Sequence, residues 1–423
     1  MSQDSHSVLP HPIPTGPFAW YHKIPLYLRI VVALILGIIV GLIMHKQAEM
    51  FKPFSSVVLR LLGALATPLI FVAVTQSILK AKVSGKTAVK LVSLLLLNTV
   101  VAILIGMTVA NIVKPGLHYP LKIETKEVMQ KPFDPVEDLL SKIPGSVLKP
   151  LADNDIMSVI LIALATGMAL RTLRSRENEK HNAMIDKLEN VLDLAFSLVM
   201  VVLQWVIALV PFAVFGVVAQ NVGTRGMDAF KPLIYFVVAV LIALLLQAVY
   251  YLIRIRLGSW VRPLNFLKGG SDALLTAFST ASSAATLPIT FACMRDKVGV
   301  KEESASLGVM VGGAFNHDGT ALYEAMAALF VSQLIGRTLG LGQQLLVVIM
   351  AVTASVGAAG IPEAGLVTML AVFKAVNLPI EYIPMLLVVD WFLDRCRTSI
   401  NVMGDMSVTC LLDGKGRGDE VTG

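Results

Sequence analysis

The stretch from Val388 to Met406 places Asp390, Asp394, Arg395, Arg397, Thr398, Asn401 and Asp405 inside an otherwise apolar run. On an α-helix at about 100° per residue, with Asp394 at 0°, Asp390 falls near −40°, Arg397 near −60°, Asn401 near −20° and Asp405 near +20°. These groups share an arc of about 80°, bordered by Thr398 near +40°, while Arg395 lies about 100° away. The opposite face (Phe392, Leu393, Ile400, Met403) is also apolar, which argues against an amphipathic helix on a soluble surface. A charge at the centre of a bilayer costs at least about 2.5–3.5 kcal/mol, so a charged stripe there marks a site. Arg397 offers a planar fork for a carboxylate, and Asp394, one turn away, suits an ammonium group. Together they describe a pocket for a small zwitterion with an acidic side chain. A plain salt bridge from Arg397 to Asp394 or Asp390 is the other reading of the same residues.

Counting charges adds a requirement. Asp318, Glu324, Asp390, Asp394 and Asp405 against Arg395 and Arg397 leave an excess of roughly three negative charges, before an acidic solute adds another. Either several acids are protonated or cations enter with the solute. Asn316, Asp318, Asn401 and Asp405 are hard oxygen donors of the kind that suit a small monovalent cation. No divalent or transition-metal cluster is visible, and Cys293, Cys396 and Cys410 form no spaced set. A membrane enzyme would need a nucleophile beside a base. Only Ser283 with His317 offers one, and the chain is read as not an enzyme.

The elements holding these groups must be membrane helices. Of 423 residues, 56% are hydrophobic and 15% charged, and mean hydropathy is +0.74, outside soluble norms. The net charge of +6 fits basic loops and calls for no nucleic acid. The first residues are polar and Pro-rich, without a cleavable-signal pattern. Apolar spans are predicted at 26–44, 54–79, 91–113, 156–173, 191–220 and 230–253. Basic loops at 80–90, 171–187 and 254–268 place the N-terminus in the cytoplasm.

Beyond residue 260 simple alternation fails. Small residues around Ser279 to Pro288 interrupt 273–292, and Ser355 to Gly365 interrupt 345–376, leaving arms too short to cross about 30 Å. Both read as re-entrant hairpins. Each precedes a polar-interrupted span: 307–335, broken at Asn316-His317-Asp318-Gly319-Thr320, and 383–412, which carries the stripe. Two such pairs entering from opposite sides form an inverted repeat around a midplane site. Hairpin tips present helix N-termini suited to a carboxylate, with Ser282 and Ser283 adding hydroxyls and Gly360 and Gly365 allowing close backbone approach.

Ala285-Thr286-Leu287-Pro288-Ile289-Thr290-Phe291, the run from Asn316 through Glu324, Gly360-Ile361-Pro362-Glu363-Ala364-Gly365 and the stretch from Asp390 to Asp405 resemble the dicarboxylate/amino acid:cation symporters over nearly the whole chain. That family includes the animal excitatory amino acid transporters and archaeal aspartate transporters. The resemblance implies an all-α integral membrane protein with eight transmembrane helices and two re-entrant hairpins. It implies a homotrimer working as an elevator in the cell (inner) membrane, with both termini cytoplasmic. The division would be a tail at 1–25, scaffold spans at 26–80, and a transport-domain span at 86–113. An extracellular loop with scaffold spans would cover 114–221, the remaining transport domain 228–414, and a tail 415–423.

By motif position, Thr320 and Arg397 would hold a side-chain carboxylate, and Asp394 and Thr398 the amino group. Asn401, Ser282, Ser283 and the second hairpin tip, with Ile361 and Gly365, would take the α-carboxylate. One sodium site would use Asn316, Asn401, Asp405 and the Gly312 carbonyl. A second would use the carbonyls of Ala314, Ser355, Val356 and Ala358, and a third Asn98, Thr99, Asn316 and Asp318. The chain departs from family pattern at His317, where Met is usual, and at Leu95 and Asn98 of span three. The lone histidine reads first as a hydrogen-bonded structural residue, though it could titrate. His317, Glu324 and Arg395 are the candidates for proton handling, and the short 114–155 loop points to a prokaryotic source. The resemblance thus implies sodium-coupled symport of glutamate or aspartate, with or without proton coupling and with no organic cofactor. Symport of a C4-dicarboxylate or of a neutral amino acid is the alternative.

Overall fold

A computed structural model describes residues 24–80, 85–118, 143–175, 179–357 and 364–415. The described residues contain helices and no strand. Long helices run over α1 (Leu26–Met44), α2 (Lys52–Lys80), α3 (Gly85–Val113), α4 (Ile156–Arg174), α5 (Glu179–Ala208), α6 (Val210–Arg225) and α7 (Lys231–Gly258). The predicted span at 191–220 is split at Leu209, where Pro211 removes a backbone donor in the first turn of α6. Its halves still form one continuous apolar stretch, Asn182–Thr224. That stretch, Leu26–Gln76, Val89–Val113 and Gly226–Gly258 are long and apolar enough to cross a membrane. Their outward faces carry Ile43, Leu104, Leu194 and Leu245, all half or more exposed, as a lipid- or subunit-facing surface requires.

The second half folds around two short-armed pairs. α8 (Pro263–Thr280) and α9 (Ser283–Ala292) form the first, starting earlier than the predicted 273. A methyl group on Gly269 would fall 2.7 Å from Val298 Cγ2, so the two ends of this pair lie side by side, as in a hairpin. α10 (Asp318–Leu334) follows a helical segment that stops at Phe315. α11 (Leu341–Gly357) and α12 (Ala364–Ala375) pack against each other as the second pair. The 358–363 tip, with Ala358, Gly360 and Ile361, lies outside the described residues. α13 (Ile383–Asp413) completes the fold.

All of α10 is buried, as is α13 from Ile400 to Leu411, so these two helices form the core. α3, α7, α8 and α9 surround them, while α2 packs with α4, α5 and α6, and α1 lies along α6. At the end of α4, Arg174 donates to Glu189 (2.7 Å) and Asp186 (2.8 Å) of α5. Hydrogen bonding to Glu189 raises the Arg174 pKa above its ordinary value.

Candidate functional site

The stripe on α13 faces inward. Asp390, Arg397, Thr398, Asn401 and Asp405 are buried, and the Asp394 side chain keeps 22% of its exposure. Arg397 Nη2 donates to Asp390 Oδ1 (2.9 Å) and Asp394 Oδ1 (2.8 Å), with the guanidinium 4.0 Å from the Tyr323 ring centroid. Its Nε and Nη1 are buried without a hydrogen-bond partner among the described residues. The salt-bridge reading therefore accounts for one nitrogen and leaves two donors to spare. An unpaired buried donor costs about 1–3 kcal/mol, so such a group is poised for an acceptor. A methyl group on Gly365 would sit 3.1 Å from Nη1, so α12 closes one side of this position. A cavity of about 220 Å³ adjoins Asp390 and Asp394, bounded by Tyr27, Val210, Ala281 and Leu366.

The start of α10 reaches the same place. A Cβ on Gly319 would fall 2.6 Å from the Arg397 carbonyl oxygen, so only glycine permits this helix crossing. Gly319 N donates to Asn401 Oδ1 (2.8 Å) and Asn401 Nδ2 to Thr320 Oγ1 (3.3 Å). Thr320, Arg397 and Asn401 are thereby gathered, with Thr398 bound to the Asp394 carbonyl (2.8 Å). At the first hairpin only Ala281 and Ser282 interrupt the helices. Ala281 is left-handed (φ 52°), and Ser282 Oγ caps α9 by accepting from Ala285 N (3.2 Å). Ser283 is the first residue of α9.

Between α10 and the segment before it, Asn316 and His317 are unwound. Asn316 Nδ2 donates to Asp405 Oδ1 (3.0 Å) and the Asn401 carbonyl (3.3 Å). Asn316 Oδ1 and Asp405 Oδ2 are buried with no partner among the described residues, and Gly312 packs beside Asp405. Orphaned oxygens around one carboxylate fit a small cation carried as cargo. Ser355 of α11 accepts from His317 N (3.3 Å), bringing the second hairpin arm to the unwound stretch. Ala314 and Val356 lie on the two segments that meet there. The His317 Nδ1 is buried and unpartnered among the described residues.

The third group assembles differently. Asp318 Oδ1 accepts from Thr99 (2.7 Å) and Oδ2 from Tyr251 (2.5 Å), while Asn98 Oδ1 accepts from Arg254. Glu324 is fully buried and accepts from Thr368 of α12. Arg395 is instead drawn to the first hairpin, donating to the carbonyls of Phe278 (3.0 Å) and Ser279 (2.5 Å) and lying over Tyr27.

Sequence reading missed Tyr251, Arg254, Tyr323, Thr368 and Gly404. Arg254 was counted with the basic 254–268 loop but belongs to α7. The usable signal was its spacing with Tyr250, Tyr251 and Gln247 on an apolar helix. Gly404 leaves room for Asn316 Nδ2 and Asp318 Oδ2, which a Cβ there would approach to 2.5 and 2.9 Å.

The profile of the sodium:dicarboxylate symporter family matches residues 26–415. The chain belongs to this family. Within it, the chain is 28% identical over 453 residues to mouse excitatory amino acid transporter 3, covering 92% of this chain and 85% of that protein. Excitatory amino acid transporter 1 of Ambystoma tigrinum is 32% identical over 442 residues, covering 89% and 80%. The Caenorhabditis elegans excitatory amino acid transporter is 30% identical over 450 residues, covering 92% and 87%. Family membership and the apolar helices make this a membrane-embedded, multi-pass transport protein.

Proposed function

We propose that the chain is a sodium-coupled symporter of acidic amino acids, glutamate or aspartate, working as a homotrimer by an elevator motion in the cell membrane. The observation that carries this reading is Arg397, buried with two unpartnered donors beside a half-buried Asp394. A guanidinium with donors to spare would take the side-chain carboxylate of the solute, with Thr320 beside it. Asp394 and Thr398 would take its ammonium, while Asn401, Ser282, Ser283 and the second hairpin tip would hold its α-carboxylate. Solute binding would release Asp394 from Arg397, because both ends of that ion pair gain a better partner. Sodium would be held at Asp405, Asn316, Asn401 and the Gly312 carbonyl, where orphaned acceptors wait. A second ion would lie among the carbonyls of Ala314, Ser355, Val356 and Ala358. Both hairpins are read as re-entrant, both termini as cytoplasmic, and Glu324 as the residue that would carry a coupled proton.

A dicarboxylate would leave Asp394 without a cation to meet, and a neutral amino acid would leave Arg397 unpaired. Arg397→Cys separates these readings. It should lower the affinity for aspartate in purified protein by at least about 100-fold, the worth of one charge-assisted bidentate contact, and favour neutral amino acids. Unchanged aspartate affinity would refute the carboxylate role.

A further inference from the structure

The donors that family resemblance would assign to a third sodium ion, Asn98, Thr99, Asn316 and Asp318, are for the most part already engaged. Asn98 has one oxygen, and Arg254 of α7 donates into it. The amide's other end, Nδ2, is a donor and cannot ligate a cation. Both Asp318 oxygens accept hydroxyls, from Thr99 (2.7 Å) and Tyr251 (2.5 Å). The Thr99 hydroxyl also lies 3.1 Å from the Leu95 carbonyl. Asn316 turns its Nδ2 to Asp405, and of the four side chains it alone keeps an oxygen without a partner among the described residues. The two ends are thus unlike: Asp405 keeps an orphaned carboxylate oxygen, whereas the side-chain oxygens of Asp318 and Asn98 all have partners among the described residues.

The half-buried guanidinium has a second contact besides Asn98. Tyr251 and Arg254 are one turn apart on the same face of α7, and Arg254 lies over the Tyr250 ring, 5.5 Å from its centroid. Asn98 and Thr99 are consecutive on α3, so Arg254 reaches the donor next in sequence to the one that binds Asp318. A sodium ion entering there would have to share the Asn98 oxygen with Arg254 and sit close to a like charge in a water-poor interior.

We infer that Arg254 is a built-in cation standing in for the third sodium ion. The chain therefore couples transport to no more ions than the Asp405 site and the hairpin-carbonyl site hold. This deepens the proposed sodium symport and rests on it. A permanently tethered charge cannot be exchanged between the two sides of the membrane, so it supplies the electrostatic neutralisation of Asp318 without contributing driving force.

The test uses the purified full chain, R254Q and R254K. In proteoliposomes at clamped voltage, the aspartate gradient that just balances an imposed sodium gradient gives the number of ions coupled per solute. Wild type and R254K should balance at no more than two sodium ions, from the two remaining sites, and R254Q at one more. Sodium titration of solute-free protein, read by thermal stabilisation, should shift at least about 10-fold toward lower sodium in R254Q relative to both others. A count of three in the wild type overturns the inference, as does identical sodium titration by R254Q and wild type. Should R254Q not assemble, the wild-type count decides alone. Absence of any sodium-driven aspartate uptake by the wild type sinks the proposed function instead, and the titration then judges Arg254.

Discussion

Arg397 sets the residue-scale logic. Burying a guanidinium against two carboxylates leaves a net negative cluster, and one of those carboxylates, Asp394, still faces the cavity at 22% exposure. A half-buried acid next to a buried, over-provided base can trade partners when a zwitterion arrives. Asp394→Asn keeps shape and removes the charge. Uptake of aspartate should fall at least about 10-fold, since the ammonium loses a charge-assisted contact, while succinate binding should be no weaker. Full retention of aspartate uptake in liposomes would remove the case against a dicarboxylate solute. The residues on this stripe were legible because hydrophobic surroundings make every charge conspicuous, and 3.6-residue periodicity puts them on one face. Tyr323 and Gly404 were not legible: an aromatic ring and a glycine are ordinary in a membrane helix until a neighbour is known to lie against them.

At the scale of elements, the first hairpin turns on two residues. Ala281 adopts a left-handed backbone, and Ser282 immediately begins the return by capping α9. Ser282→Ala should cost about 1 kcal/mol through loss of the cap, read as a lowered melting temperature of purified protein. An unchanged melting temperature would mean that the Oγ to Ala285 contact contributes nothing. Small-residue composition announced this turn in advance, as did the Asn316-His317 break, because both replace apolar helix formers with turn residues. The division at Leu209 was hidden, since its flanks are uniformly apolar and one proline inside a long span does not reveal whether the helix bends or stops. Arg254 was misplaced for a related reason. A basic residue near a span's end reads equally as loop or helix until its partner, Asn98, is located 156 residues away.

At the scale of the molecule, α1 and α6 face the stripe-bearing half across the cavity, with Tyr27 stacked on Trp391 at 6.4 Å. An elevator requires this contact to break and re-form as one group of helices slides past the other. With Cys293, Cys396 and Cys410 replaced, cysteines at 27 and 391 joined by a bifunctional cross-linker should stop uptake while leaving solute binding measurable. Undiminished uptake by the cross-linked protein would exclude relative motion at this contact. Composition made the membrane setting plain, but the proposed grouping of helices into two moving bodies rests on long-range packing that no local pattern encodes.

The central claim is that acidic solute and positive ions neutralise one buried, acid-rich pocket together. Its most direct measurement is uptake of labelled aspartate, glutamate and succinate into liposomes under separately imposed sodium and proton gradients. Accumulation of aspartate or glutamate driven by inward sodium, with succinate excluded, is the predicted result. Tight, concentrative uptake that ignores both cation gradients would contradict it.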